Sequence, residues 1–278
     1  MAQLKAYISE KMMNKPAVKL SHATILGSGT SMGVPTIGCE CGVCTSNDPK
    51  NQRYRTSIMV TTADGTNIVF DTAPEFRLQM LREGVRRVEN IIYTHTHADH
   101  CHGFDDLRGL YFGQQSPVTC HLKKVDLEEL RDRFSYAFEE RGYLGEKPQI
   151  HLQEIGLDQF NINGLEIDPV LLPHGGYETL GFRIGRFAYA TDFKFFPSEC
   201  IDRWKGKVDV MIASGLRHRA HSTHSTIGET IELFAKLGVR HGVITHLSHE
   251  VDYTSHSKEL PPNVVFAYDG LRVDLSHC

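Results

Sequence analysis

The feature that most constrains this chain is a run of three histidines and one aspartate within six residues, His95-x-His97-x-Asp99-His100. An apolar run at residues 88–93 precedes it, which predicts a buried strand, a polar loop and a helix starting near Asp99. His95 and His97 are two residues apart, so an extended backbone points both imidazoles to the same side. Asp99 and His100 follow in the turn and can face a second ion. Zinc, manganese and iron suit this ligand set, so the run predicts a metal site.

Three cysteines lie close together earlier in the chain, at Cys39, Cys41 and Cys44. Their spacing predicts three thiolates around one point, which is the geometry of a structural zinc site. A closed zinc site has four ligands, so the fourth must come from elsewhere in the chain. The chain has seven cysteines, and this clustering favours metal binding in a reducing compartment over disulfides.

The length of 278 residues is enough for one large domain with a substantial core. The sequence shows neither an internal repeat nor a Ser/Gly linker, so we expect a single domain over residues 22–278 after an N-terminal extension at residues 1–21. The segment 123–147 is densely charged with interleaved Leu, Phe and Tyr, which predicts a helical insert in that domain.

The composition argues against several classes of protein. A hydrophobic content of 40% and a charged content of 23% are ordinary for a soluble globular protein. The net charge of −4 gives no reason to expect binding to nucleic acid or to a membrane surface. No apolar stretch is long enough for a transmembrane helix or a secretory signal, so the sequence predicts a cytoplasmic protein.

An Asp-Gly turn at residues 64–65 separates two β-rich runs, at residues 58–62 and 68–73, and predicts a hairpin. Asp71 ends the second run, close in sequence order to the histidine loop. It either fixes the tautomer of a metal ligand or caps a helix over residues 74–84, and the sequence leaves both roles open.

The second half of the chain repeats the pattern of an apolar strand that ends in a potential ligand. His174, Asp192 and His246 each follow such a run, and the polar loop at residues 214–226 holds three more histidines. One histidine after a strand is weak evidence, because hydrogen-bonded loop histidines are common. Several endings of the same kind predict a convergent site.

The kind and order of these residues resemble the ligand set of the metallo-β-lactamase-fold hydrolases, and the match spans most of the chain after residue 22. The resemblance implies an α/β (α+β) fold, a four-layer αββα sandwich with two metal ions between its sheets. It implies the following ligands: His95, His97 and His174 for one ion, Asp99, His100 and His246 for the other, and Asp192 as the bridge. An aspartate bridge instead of a cysteine is similar to the phosphodiesterase and glyoxalase II branch.

Two further features resemble the cyclic phosphodiesterase of the bacterial phosphonate (carbon–phosphorus lyase) pathway, which opens 5-phosphoribosyl 1,2-cyclic phosphate. The first is the turn Gly27-x-Gly29 before the three cysteines, together with Thr245-His246-x-x-His249. It implies that His249 is the fourth ligand of the structural zinc. The second is His224 before Ser-Thr and a helix, a motif shared with ribonuclease Z, where this histidine acts on the phosphodiester. His224 and the ligand Asp99 are therefore the predicted catalytic residues, with His221 as the alternative to His224.

These features predict a dinuclear-metal-dependent hydrolase that cleaves a small cyclic phosphodiester or a nucleotide-like substrate. The predicted cofactors are two divalent ions at the active site, zinc or manganese, and one structural zinc. The expected partner is a small-molecule phosphodiester, with neither a membrane nor a nucleic acid. Dimers are common in the family, so the resemblance also implies a homodimer.

Three other functions are compatible with parts of the pattern. A ribonuclease Z-like nuclease shares the His224 motif but needs a basic arm to dock RNA, and the charges of segment 123–147 are balanced. A glyoxalase II-like thioester hydrolase shares the metal ligands, without a reason to carry the His-Ser-Thr motif. A metal-binding accessory protein without turnover is the alternative from a different class.

Overall fold

The structure, a computed structural model, describes residues 18–139 and 146–278. Residues 1–17 of the predicted extension and residues 140–145 of the predicted insert lie outside the described residues. In the described part, the first strand begins at Leu20, two residues before the predicted start of the domain.

The first sheet contains strands from the N-terminal half of the chain and the last strand. Its members are β1 (Leu20–Gly27), β2 (Ser57–Thr62), β3 (Asn67–Phe70), β4 (Asn90–Ile92), β5 (Val118–Leu122), β6 (Ile150–Glu154) and β14 (Arg272–Asp274). The order across the sheet is β14-β1-β2-β3-β4-β5-β6. β2 and β3 pair antiparallel, with Ile58 opposite Phe70, so the predicted hairpin is confirmed. From β3 to β6 the strands run parallel.

The second sheet is built from the C-terminal half. Its members are β7 (Phe160–Ile162), β8 (Leu165–His174), β9 (Tyr177–Ile184), β10 (Phe187–Ala190), β11 (Val210–Ser214), β12 (His241–Thr245) and β13 (Val264–Phe266). The order across the sheet is β13-β12-β11-β10-β9-β8-β7. β10 to β13 run parallel, and β8 has the same direction because both β8 and β10 pair antiparallel with β9.

Helices cover the outer faces of both sheets. They are α1 (Phe76–Arg82), α2 (Ala98–Cys101), α3 (Leu107–Gln114), α4 (Lys124–Arg133), α5 (Ser198–Trp204), α6 (Ile227–Leu237) and α7 (Tyr253–His256). Four short 3₁₀ helices lie at Pro49–Asn51, Phe104–Asp106, Ser135–Ala137 and Ser257–Glu259. The predicted insert thus contains α4 and one 3₁₀ turn in the residues that the structure describes.

The buried apolar residues form three layers of packing, as an αββα sandwich requires. Between the sheets, Phe70 lies 5.5 Å from Phe182 and 5.3 Å from Tyr189, measured between ring centroids. A second cluster packs α5 and α6 against the C-terminal sheet, with Trp204 and Phe234 fully buried. A third cluster packs α1, α3 and α4 against the N-terminal sheet. The predicted four-layer sandwich is therefore confirmed.

The described residues contain no helix that is long and apolar enough to cross a membrane.

Candidate metal centre

The carboxyl ends of strands from both sheets meet at one edge of the sandwich. The loop after β4 carries the histidine run, β8 ends at His174, β10 leads to Asp192, and β12 leads to His246. A backbone hydrogen bond from Leu180 N to Thr94 O, 3.0 Å long, ties the histidine loop to β9 of the other sheet. Because parallel strands end at the same edge, side chains distant in sequence converge there.

The first predicted ligand group is assembled by this convergence. One nitrogen each of His95, His97 and His174 lie within 4.8 Å of one another. The ring centroids of His97 and His174 are 5.1 Å apart, and those of His95 and His97 are 4.5 Å apart. His95 and His174 are buried and His97 is half-buried. Three imidazoles facing one point leave a fourth position open, which is the arrangement of catalytic zinc sites.

The second predicted group lies beside the first, with Asp192 between the two. One ligand atom each of Asp99, His100 and His246 lie within 4.8 Å of one another. Asp192 Oδ2 is 2.8 Å from His100 Nε2, and Asp192 Oδ1 is 3.0 Å from His246 Nε2. Asp192 also groups with His95 of the first set. The structure thus places this carboxylate where the resemblance requires the bridge.

The opposite ring nitrogens of these histidines are held by hydrogen-bond partners. Thr94 Oγ1 lies 3.0 Å from His95 Nδ1, and Thr223 O lies 3.1 Å from His174 Nδ1. Asp71 Oδ2 lies 2.8 Å from His100 Nδ1, and Thr56 Oγ1 lies 3.0 Å from His246 Nδ1. Such partners fix each ring so that its Nε2 faces the centre, which is how metal-binding histidines are usually oriented.

Two properties of the centre fit a pair of cations. His95 Nε2 is buried without a hydrogen-bond partner in the described structure. A buried imidazole nitrogen left unpaired costs free energy, and a metal ion removes that cost. Burial lowers the pKa of His100, but Asp99, Asp192 and Asp71 outweigh it and raise that pKa well above its usual value. The buried carboxylates therefore stabilise positive charge at this point, which divalent cations would supply.

The backbone at the centre is held in an uncommon conformation. Asp71, Asp192 and His246 have φ angles of 65°, 53° and 58°, in the left-handed region that residues other than glycine rarely occupy. Backbone of this kind clusters at functional sites, where the surrounding structure enforces it. Here it turns each side chain from the end of a strand towards the shared centre.

The three cysteines form a second cluster about a histidine from the opposite end of the chain. The sulfurs of Cys39, Cys41 and Cys44 and one nitrogen of His249 lie within 4.8 Å of one another. His249 Nδ1 is 3.2 Å from Cys39 Sγ and 3.5 Å from Cys41 Sγ. A backbone N–H from Cys44 and contact with His249 lower the pKa of Cys41 to about 6. Four such atoms match the donor set of a structural zinc, and the structure places His249 where the fourth ligand was expected.

The predicted catalytic histidine lies in the wall of the metal centre. His224 Nδ1 is 3.2 Å from Asp192 Oδ1, and its ring centroid is 4.7 Å from that of His174. It lines a cavity of about 390 Å³ together with His97, Asp99, His174 and Asp192. His221 is 5.0 Å from His224 between ring centroids and bonds to Thr223, but it is not in the lining of that cavity. Of the two candidates, His224 is the one that a substrate in this cavity can touch.

Two arginines in the loop that carries His224 pair with a glutamate outside it. Arg217 and Arg219 both form ion pairs with Glu250, at 2.6 and 2.7 Å. Glu250 follows His249, so this pairing joins the loop that carries His224 to the loop that carries His249.

The structure adds residues that the sequence did not single out. Thr56 and Thr30 contact His246 from the first sheet, with Thr30 Oγ1 3.3 Å from His246 Nε2. Tyr177 lies edge-on to His97, 4.7 Å away between ring centroids. None of these stands in a motif, and only the folding of distant segments brings them to the centre. Asp71 was singled out with two roles, and α1 begins at Phe76 with Glu75 at its N-cap, so Asp71 does not cap it.

Replacing Asp71 with asparagine should weaken the second ion site. The carboxylate accepts from Thr94 N, Thr94 Oγ1 and His100 Nδ1, and asparagine tolerates the same left-handed φ. An amide NH₂ facing His100 Nδ1 would favour the tautomer protonated at Nε2, which cannot bind a cation. We expect about a 10- to 100-fold loss of metal affinity or activity, measured by metal titration and kcat/KM.

The matched control for this substitution is Asp64→Asn, in the exposed turn between β2 and β3. It should leave metal affinity at the wild-type value. Equal affinities for Asp71→Asn and wild type would show that His100 does not depend on Asp71 for its tautomer.

Comparison with known proteins gives a family match and two curated relatives. A family model described as a beta-lactamase superfamily domain matches residues 66–247. An octanoyltransferase of Porphyromonas gingivalis is 37% identical over 250 residues, which are 89% of this chain and 50% of that protein. Coenzyme PQQ synthesis protein B of Methylobacterium radiotolerans is 27% identical over 148 residues, 49% of this chain and 46% of that protein. The chain therefore spans about half the length of these curated relatives.

Solved structures resemble the chain over nearly its whole length. A diphosphatase from the PhnP family superposes with a TM-score of 0.84 at 37% identity, covering 92% of this chain and 97% of that one. The short form of human tRNase Z superposes with a TM-score of 0.66 at 15% identity, covering 91% and 99%. At 15% identity the second likeness concerns the fold alone.

Proposed function

Because the chain belongs to the β-lactamase superfamily and has the metallo-β-lactamase fold of a hydrolase near the PhnP branch, we propose that it hydrolyses phosphodiester or diphosphate bonds at a dinuclear metal centre. The observation that supports this most is the buried Asp192, whose oxygens contact His100 and His246 of the second group and which also lies within 4.8 Å of ligand nitrogens of His95 and His174 of the first. The similar diphosphatase supports a phosphorus-centred reaction.

The chain's own residues would hold the ions and orient the substrate. His95, His97 and His174 would hold one cation, and Asp99, His100 and His246 the other, with Asp192 shared. When bound, such cations lower the pKa of water and offset charge on phosphoryl oxygens. The donor set does not discriminate zinc from manganese, because imidazole and carboxylate ligands suit both.

His224 is placed to contact the reacting phosphoryl group. Burial lowers the pKa of His224 to about 3, so its imidazole is neutral at pH 7 and carries one N–H. A neutral ring in the cavity wall can donate a hydrogen bond from that N–H to a phosphoryl or leaving oxygen. Ser225 N donates to Phe193 O, 2.7 Å away, and Thr226 begins α6 with a capping box, so the backbone beside His224 is fixed. Fixed donors stabilise developing charge without reorganisation.

Thioester hydrolysis is the second candidate, because the 37% identical relative bears the name octanoyltransferase. The chain spans only half of that protein, so the acyl-transfer activity reaches this chain only as a proposal. An acyl thioester and a phosphodiester both place an oxygen on the cations, so the metal ligands do not separate them. His224 separates the two candidate substrates, because its proposed contact is with phosphoryl oxygens.

The test uses the purified full chain with added zinc or manganese. We expect turnover of bis(p-nitrophenyl) phosphate and little of octanoyl-coenzyme A. His224→Ala should lower kcat for the phosphodiester by about 10²- to 10³-fold while the bound metal, measured by mass spectrometry, stays at the wild-type ratio. His221→Ala is the matched control, since its ring is next to His224 but not in the cavity lining.

Three other results of this experiment would change the proposed function. Turnover of the thioester alone would replace the phosphodiester proposal with the second candidate. Loss of a metal ion in His224→Ala would make His224 a ligand, since its ring also groups with His174 and Asp192. A metal-loaded chain that turns over neither substrate would favour an accessory role.

A further inference from the structure

Asp269 is a carboxylate outside the metal centre that the proposed reaction does not use. It lies between β13 and β14, and its side chain is only 10% exposed. Its Oδ1 accepts from Ser28 N at 2.9 Å and from Ser28 Oγ at 2.7 Å. Its Oδ2 accepts from Tyr54 N at 2.9 Å and lies 3.3 Å from Arg82 Nη1, at the end of α1. Burial raises the pKa of Asp269 to about 6, so at pH 7 the carboxyl is largely ionised and accepts in each of these bonds.

These bonds hold two backbone segments together, the turn at residues 27–30 after β1 and the segment before β2. Gly29 N donates to Tyr54 O at 2.8 Å. The segments are so close that a Cβ at Gly27 would lie 1.9 Å from Arg55 O. Glycine therefore permits the contact, and the carboxylate secures it by binding one residue on each side.

The turn also carries the acceptor that orients Thr56. Thr56 Oγ1 is 2.7 Å from Gly29 O and 3.0 Å from His246 Nδ1. A carbonyl oxygen can only accept and a hydroxyl has one hydrogen, so the shorter contact assigns that hydrogen to Gly29 O. The hydroxyl then accepts from His246, which places the ring hydrogen on Nδ1 and leaves Nε2 free for a cation.

The choice of tautomer matters because an acceptor also faces the other ring nitrogen. His246 Nε2 is 3.0 Å from Asp192 Oδ1, which in the absence of an ion draws a hydrogen to Nε2. A ring with its hydrogen there cannot bind a cation until the hydrogen is removed. Thr56 opposes Asp192 by holding the hydrogen at Nδ1, and so raises the affinity for the ion.

We propose that Asp269 is a positioning residue for the second active-site ion, the one at His246. It fixes the turn at residues 27–30, and the turn sets the tautomer of His246 through Thr56. This gives the glycines of the turn a role in metal affinity. The inference rests on the proposed dinuclear centre and is independent of the bond that the centre hydrolyses.

The test measures the zinc affinity of each group separately, by competition with a chromophoric chelator. His97→Ala removes a ligand of the first group, so the second group then holds the tighter active-site ion, and His246→Ala does the reverse. In the His97→Ala background, Asp269→Asn should raise the Kd of the ion about 10-fold, the low end of the range for groups that orient a ligand. In the His246→Ala background it should leave the Kd unchanged, which a general loss of stability would not.

Two substitutions at Thr56 test the last step. Thr56→Val has nearly the same shape without the hydroxyl and should raise the Kd of the second ion about 10- to 100-fold. Thr56→Ser keeps the hydroxyl and should stay within about 3-fold of wild type. Adding Asp269→Asn to Thr56→Val should cause little further loss, because both act through one hydroxyl. Fold losses that multiply would show that Asp269 acts by another route.

Asp274→Asn is the matched control, because Asp274 is an exposed carboxylate on β14, shortly after Asp269. It should keep the wild-type Kd for both ions. An unchanged Kd of the second ion in Asp269→Asn, or an equal loss at both groups, would overturn the inference. A chain that binds both ions without hydrolysing bis(p-nitrophenyl) phosphate would instead overturn the proposed function alone.

Ser28→Ala decides the matter if Asp269→Asn does not fold. It removes one hydrogen bond to the carboxylate and keeps the other bonds of Asp269. The Kd of the second ion should rise about 3-fold in the His97→Ala background. An unchanged Kd there would overturn the role of Asp269.

Discussion

Replacing Cys41 with serine is expected to remove one zinc ion per chain and to destabilise the fold. Cys41 Sγ is 3.5 Å from His249 Nδ1 and accepts the N–H of Cys44, so it sits inside the four-atom cluster. Serine binds zinc far more weakly than a thiolate. A zinc ion present at a thousand times its Kd stabilises the folded state by about 4 kcal/mol, and the variant should lose most of that. Metal analysis and urea unfolding measure the two effects.

The position of the cluster explains why its loss should also reach the active centre. His249 is three residues after His246, and the loop between them is bound to the N-terminal segment by Leu247 N to Ser28 O, 2.8 Å, and Thr30 N to Leu247 O, 3.1 Å. A zinc bound by Cys39, Cys41, Cys44 and His249 would be a second link between the N-terminal segment and the same loop. We therefore expect turnover to fall in Cys41→Ser, by less than removing a ligand of the dinuclear site.

Cys278→Ser is the matched control, because Cys278 is partly buried and lies outside the cluster. It should keep the wild-type metal content. A Cys41→Ser protein with the same number of metal ions as wild type, and the same urea midpoint, would refute the structural zinc.

The sequence was most informative where the chemistry is local. His95, His97, Asp99 and His100 lie within six residues, so the period of a strand and one turn decide which way they point. The three cysteines are equally local, and their spacing indicated one point of convergence. The fourth member of that cluster, His249, lies 205 positions after Cys44 (249 − 44). The spacing of the cysteines did not identify it, and only the resemblance to a known family did.

Residues that act through long-range packing carried no signal. Thr56 reaches His246 across 190 positions, and Thr30 reaches it across 216. A threonine in a loop beside a strand is common, so only the tertiary structure gives these residues their partner. Asp71 is intermediate: its place at the end of β3 was visible, but its bond to His100 depends on the parallel pairing of β3 with β4.

The four-layer sandwich was predictable through the resemblance, while element boundaries depended on local packing. The helix expected over residues 74–84 is shorter, Phe76–Arg82. Ala73, Pro74 and Glu75 remain outside it, and Ala73 O instead accepts from Phe76 N. Gly84, with a φ of 65°, ends it by adopting the left-handed conformation that glycine allows.

Replacing Asp192 with asparagine should have the largest effect on activity. Its oxygens lie 2.8 Å from His100 Nε2 and 3.0 Å from His246 Nε2, and Thr191 Oγ1 donates to Oδ2 at 2.9 Å. Burial acts to raise the pKa of Asp192, but His246 and His100 hold it well below its usual range, so the carboxylate is ionised. Asparagine keeps the volume and tolerates the φ of 53°, but it removes the charge and points an NH₂ group at a cation. We expect kcat/KM to fall by about 10³-fold or more, with loss of at least one active-site ion.

Asp209→Asn separates this effect from the general loss of an ion-paired carboxylate. Asp209 forms ion pairs with Arg186 and Arg240 just before β11, at the end of that strand opposite the metal centre. Its replacement should cost at most about 1 kcal/mol of stability and leave metal content and turnover at wild-type values. Asp192→Asn protein that retains both active-site ions and its turnover would show that each ion is held by its own three ligands alone. Loss of both ions together would instead mean that the two sites fill cooperatively through this one carboxylate. Loss of one ion would identify the histidine group that depends on Asp192 to hold its ion.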